Sequence, residues 1–195
     1  MFRWYQSAEI CFAYLSDLTP GSQNSLKARM AGCKWFTRGW CLQELIAPRE
    51  VVFLDSTWKA VGHKTDLHIT RLVSDITNID EAVLRDSSNL PALPVAKKMS
   101  WAAKRETTRI EDMAYCLLGI LDINMPMLYG EGNKAFRRLQ DEIIKQSSDL
   151  SIFAWDGGQA AVKTPQQPGE TFINLFAESP SDFAGCESLT LRSRP

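Results

Sequence analysis

The first fourteen residues crowd Phe2, Trp4, Tyr5, Ile10, Phe12 and Tyr14 together with no polar lead-in. That pattern predicts the end of a helix running into a short buried strand, Ile10 to Leu15. A helix already in hydrophobic stride at residue 1 predicts either a cut chain or a gene model that starts late. TPGSQNS, residues 19–25, is a loop by composition. Thr37 then predicts a helix cap ahead of Arg38, with WCLQELIA carrying the helix to a stop at Pro48. Trp40, Leu45 and Ala47 are its inward positions, and Glu44 lies one turn from Trp40. The apolar run Val51 to Leu54 predicts a strand like the buried ones of parallel sheets. Strand, helix, strand in this order predicts a βαβ unit and an α/β layer.

From Lys64 onward the periodicity turns helical. After an Asp66 start, Ile69, Leu72, Val73 and Ile76 fall on one helical face. EAVLRD predicts a short helix, SSNLPALP a proline-bearing break, and VAKKMSWAAKR a further helix. Thr108 and Glu111 have the spacing of a capping box for RIEDMAYCLLGIL. NMPMLYGEGN is a turn-rich connector, and KAFRRLQDEIIKQ is amphipathic with Phe136, Leu139, Ile143 and Ile144 on one stripe. LSIFAW, residues 150–155, predicts a return to strand. Residues 156–195, rich in Gly, Pro, Ser and Gln, predict loops with short structured pieces. The expected organisation is an α/β part over 1–63, a helical part over 64–155 and a loop-rich tail over 156–195.

Composition narrows the class. Across 195 residues, 45% hydrophobic and 23% charged side chains are the balance of an ordinary soluble globular protein. A formal net charge of −1 removes any global attraction to nucleic acid or an anionic membrane. No apolar run approaches the roughly 20 residues of a membrane-spanning helix. The N-terminus lacks the basic-then-apolar layout of a secretory signal. Five scattered cysteines without a C-x-x-C pair predict buried thiols in a reducing, cytoplasmic setting. His63 and His68 are five apart, off the spacing that places two ligands on one helix face, so surface positions and no metal are expected.

Among residues with chemistry, Glu44 is the one carboxylate in WFTRGWCLQELIAP, set among aromatic and apolar neighbours. Partial desolvation there would make it a usable catalytic group. A solvated side chain or a pair with Arg38 or Arg49 fits the composition better. In residues 100–120, Arg105 and Arg109 could contact an anion near a helix start. The alternative is a salt-bridged helix junction in which Glu111 and Asp112 serve the helix dipole. YGEGN has neither phosphate-loop pattern, so Gly130 and Gly132 are expected to shape a turn. No serine nucleophile elbow or Cys-His arrangement is present.

Three stretches carry a resemblance. MFRWYQSAEICFAYLSDL, WFTRGWCLQELIAPREVVFLDSTW and the run from MSWAAKRETTRIEDMAYCLLGIL to DLSIFAW are similar to the heterokaryon-incompatibility (HET) domain family of filamentous fungi. SPSDFAG at 179–185 looks like that family's continuation. The resemblance implies vegetative incompatibility, self/non-self recognition and cell-death signalling through protein partners or self-association. Family members carry an earlier segment with two further strands, so the resemblance also implies an N-terminally truncated domain. Trp40 to Leu45, WCLQEL, is similar to a segment of Toll/interleukin-1 receptor (TIR) domains. That likeness implies a partial flavodoxin/TIR-like parallel sheet followed by a mostly helical subdomain. In catalytic relatives the glutamate of this segment serves NAD cleavage, a role that would fall on Glu44, with Trp40 and Arg38 beside the ligand. Such a carboxylate would stabilise the oxocarbenium-like state of nicotinamide–ribose cleavage.

Overall fold

A computed structural model describes residues 1–21, 24–156 and 175–190. Its sheet has three strands in the order β1 (Cys11–Tyr14), β2 (Val51–Leu54), β3 (Ala60–His63). β1 and β2 are parallel, with Cys11 opposite Val51 and Tyr14 opposite Leu54. The crossover between them carries helix α2 (Leu26–Ala31), a 3-10 turn (Lys34–Thr37) and helix α3 (Cys41–Ile46), as the βαβ pattern predicts. The expected all-parallel sheet is corrected at β3, which runs antiparallel to β2. The connection is too short for a crossover helix. Asp55 closes it as a tight turn, its Oδ1 accepting from Thr57 N (2.8 Å), Thr57 Oγ1 (2.7 Å) and Lys59 N (3.1 Å).

β1 is less buried than its composition predicts. Only Ala13 is buried, while Phe12 is 64% exposed and Tyr14 36%. No strand pairs with its outer edge among the described residues. The Cys11 and Leu15 amides donate to Glu50 O and Leu54 O. By strand alternation the Phe12 and Tyr14 amides therefore face the open edge.

The helix predicted from Arg38 begins later, at Cys41. Thr37 does not cap it: its Oγ1 donates to Lys34 O. Residues 37–39 are instead drawn into bridge contacts with the 106 region. Glu106 N donates to Thr37 O at 2.6 Å and Gly39 N to Glu106 O at 2.8 Å. Gly39 is required by this approach, since a Cβ there would sit 2.5 Å from Thr107 Cγ2. At the other end of α3, the buried Lys64 ammonium donates to Leu45 O (3.0 Å) and to Pro48 O, supplying partners that a helix C-terminus lacks. Desolvation lowers the Lys64 pKa to about 8.

Helices follow: α4 (Leu67–Thr77), α5 (Glu81–Arg85), α6 (Val95–Ser100), α7 (Asp112–Tyr115), α8 (Leu118–Leu121) and α9 (Lys134–Gln146). The single helix predicted over 109–121 is thus two short ones. Bonds spanning three residues, Leu117 N to Ala114 O and Ile120 N to Leu117 O, tighten the chain between them. Helix α9 buries Phe136, Leu139 and Ile143 as its stripe predicts, and Ala135 besides, but Ile144 is exposed.

LSIFAW is not a strand. Leu150–Phe153 is a 3-10 turn. Its polar flank is committed to capping: Asp149 takes the amides of Ser151 and Val95, and Ser151 Oγ takes that of Ala96. The same side chains satisfy the free N-terminal amides of α6. Of the tail, 157–174 and 191–195 lie outside the described residues. Pro180–Ser188 forms a 3-10 segment that buries Phe183 and Cys186 and packs on α6. One apolar cluster runs from Leu15, Leu45 and Phe53 beside the sheet to Met99, Tyr115 and Leu139 among the helices. Each such side chain, fully buried, contributes roughly 1.5–3 kcal/mol.

Candidate functional site

Glu44 stands on α3 where helix α1 (Phe2–Ser7) crosses it. Tyr5 Oη donates to Glu44 Oε1 at 3.3 Å. Burial first, and the Glu44 charge second, raise the Tyr5 phenol and the Cys11 thiol, and push Cys41 up to about 12. Glu44 is half-buried and pairs with neither Arg38 nor Arg49 in the ion pairs of the described residues. Its electrostatic neighbour in the sheet is Cys11, the first residue of β1. Ligands of open α/β sheets gather at the opposite, C-terminal ends of the strands.

The structure therefore separates the sequence candidates. Trp40 is half-buried and lines a cleft of ≈ 950 Å³; Glu44 and Arg38 do not line it. Arg38 is exposed, and its carbonyl oxygen accepts from Arg105 Nη1 at 2.9 Å. Arg105, 5% exposed, also donates from Nε to Trp101 O, so its guanidinium is spent on backbone and is not offered to an anion. Burial lowers the Arg105 pKa to about 10. Arg109 is exposed and lies over the Tyr129 ring, 4.7 Å from its centroid. Neither arginine has a carboxylate partner among the described ion pairs, whereas Asp112 lies in the first turn of α7 and Glu111 at its N-cap, the dipole positions expected of them.

Glu111 does different work from that of a capping box. Its Oε1 accepts the amides of Gly130 (2.7 Å) and Gly132 (3.0 Å), and backbone hydrogen bonds hold its carboxyl below the usual range. Gly130 and Gly132 have φ of +102° and +59°, the left-handed turn expected of them. Tyr115 completes the clamp: its hydroxyl takes the Leu128 amide at 2.7 Å and donates to Glu131 Oε1 at 2.8 Å. Arg138 pairs with the same Glu131.

The cleft lies between α1, α3, α6 and α8, with apolar walls that include Phe2, Trp40, Leu118 and Met125. Two buried polar side chains on its walls escaped the sequence reading. Gln43, 3% exposed, donates from Nε2 to Cys116 O at 2.7 Å, while its Oε1 has no partner. Lys98, 7% exposed, reaches Leu90 O at 3.4 Å, and burial lowers its pKa. A polar residue on a helix whose other positions are nearly all buried was the available signal for Gln43. His63 meets Glu50 Oε1 at 3.0 Å and His68 is exposed. Among the described residues no cluster of three or more His, Cys, Asp or Glu could hold a metal, and no helix is long and apolar enough to cross a membrane.

Comparison with known proteins gives two matches. The vegetative incompatibility protein HET-E-1 of Podospora anserina is 43% identical over 157 residues, which cover 77% of this chain. The chain is related to a fungal vegetative-incompatibility protein. It spans 11% of that relative's length. Residues 134–194, from α9 onward, match a family described as a domain of unknown function (DUF8212). No solved structure matches.

Proposed function

We propose that this chain is part of a HET-domain module acting in vegetative incompatibility, where it serves self/non-self recognition and cell-death signalling in the cytoplasm. The observation that carries the reading is the 43% identity to the Podospora incompatibility protein over most of the chain. The module works through protein contacts, either with partner domains or with its own copies. The position of Glu44 supports contact over catalysis. It is tied to Tyr5 beside the start of β1 and lies off the cleft walls. NAD cleavage by Glu44 remains the rival from a different class, and no observation favours it.

The test is a chimera in which this chain replaces the matching segment of the Podospora relative. The expected result is an incompatibility reaction that persists in the Glu44→Gln form without NAD loss. A stably produced chimera that never triggers the reaction overturns the proposal. Loss of the reaction and of NAD consumption together in Glu44→Gln would replace it with the enzyme.

A further inference from the structure

The cleft between α1, α3, α6 and α8 has a feature that packing alone leaves unsatisfied. Gln43 Oε1 is a buried acceptor without a donor, and its orientation is fixed because Nε2 is committed to Cys116 O. Leaving such a group unpaired costs the full desolvation of the acceptor. On the same walls, the Lys98 ammonium has a single 3.4 Å carbonyl contact and no carboxylate within 4 Å among the described ion pairs. Asp149 is its electrostatic partner from beyond ion-pair distance, so the ammonium is buried without direct carboxylate contact, a costly arrangement. Phe2, Trp40, Leu118 and Met125 supply apolar surface around the two. The volume, ≈ 950 Å³, is within the range of small-molecule pockets.

We infer that this cleft binds a small organic monocarboxylate with an apolar body and an N–H or O–H donor close to the carboxylate. The carboxylate pairs with Lys98, the donor satisfies Gln43 Oε1, and the apolar body packs against Trp40, Leu118 and Met125. A phosphate fits poorly, because one point charge with no second buried cation on the walls suits a monoanion. Helix α1 closes one side of the cleft and has no fully buried residue, so it is the wall that yields as a ligand enters. An N-acyl amino acid and the free C-terminus of a peptide share this chemistry. The site stands independently of the incompatibility reading.

Titration calorimetry on the full chain tests it, with N-acetyl-leucine and N-acetylphenylalanine as probes, their C-terminal amides as controls, and a leucine-ended heptapeptide in free-acid form. Saturable binding of the acids is expected, about tenfold or more weaker for the amides and for Lys98→Met. Gln43→Met should weaken binding several-fold. Tighter binding of the peptide than of the N-acetyl amino acids identifies a chain end as the source, and the reverse order a free small molecule. Lys98→Met removes a buried charge and should melt no lower than the parent chain. If that variant fails to fold, the acid–amide comparison on the unaltered chain decides alone. Absence of saturable binding by all three acids, or equal binding of acid and amide, overturns the inference.

Discussion

The Glu111 carboxylate accepts the amide of Gly130 at 2.7 Å across nineteen positions of chain, and so fixes the start of α7 to the connector ahead of α9. The same oxygen holds Gly132, and the Tyr115 hydroxyl holds Leu128. The connector is thus clamped by side chains from one short helical stretch.

Replacing Glu111 with Ala should release that clamp. The Gly130 and Gly132 amides would lose protection in hydrogen exchange, and the melting temperature would fall. Because the folded state holds this carboxyl below its ordinary range, its stabilising effect is present above the unfolded pKa and is lost as pH falls through the folded one. The parent chain should therefore lose stability in acid more steeply than Glu111→Ala. Equal acid limbs would contradict the role given to Glu111.

Phe53 is fully buried in β2, edge-on to Trp35 (5.9 Å, 89°) and stacked near Phe36 (6.1 Å, 27°). Phe53→Ala should cost about 3–5 kcal/mol, through lost burial and the cavity left behind. Urea unfolding measures this, and a loss well under about 1 kcal/mol would show that the aromatic cluster is not a centre of stability.

Alkaline stability sets two effects against each other. Lys64 has a folded pKa of about 8 against 10.5 for an ordinary lysine, so its burial penalty is relieved as pH rises between those values. Cys33, Cys41 and Cys116 are pushed up to about 12 from 9.0, so the stability they contribute is lost from 9.0 upward as the unfolded thiols ionise. Each group changes stability by up to about 1.4 kcal/mol per pH unit within its window. Burial also lowers Lys98 and raises Cys11 and Cys186, so between about pH 9 and 10, below the Arg105 window, five thiols oppose two lysines and stability should fall there. Unfolding in a reductant at stepped pH checks the sign, and Lys64→Met should steepen the fall.

How much of this was legible in the sequence depends on the range of the interaction. Val51 to Leu54 and the α9 segment were readable because their patterns are local: one apolar run and one helical stripe. The T-x-x-E spacing at Thr108–Glu111 reads the same whether the carboxylate turns back on its own helix or outward to a distant loop. LSIFAW has strand composition, but the use of Asp149 and Ser151 to cap α6 depends on a contact over fifty residues away in the chain. The Tyr5–Glu44 bond, the unpaired Gln43 oxygen and the buried Lys98 ammonium follow from how helices cross, which periodicity does not encode.

Because Glu44 is half-buried and its bond to Tyr5 is 3.3 Å long, Glu44→Gln and Tyr5→Phe should each change stability by less than about 1 kcal/mol. Thermal melts of both variants check this. A large loss in Glu44→Gln would mean that the carboxylate holds α1 in place, and functional results from that variant would then report on folding.

The open side of β1 also gives the sheet a built-in reporter. With no strand alongside among the described residues, the outward amides of Phe12 and Tyr14 should exchange hydrogen rapidly with water, while those of Cys11 and Leu15 are held by β2. A fourth strand arriving from any source would slow exchange at two alternate positions and leave their neighbours unchanged. That two-residue signature would register the growth of the sheet before the identity of the added strand was known.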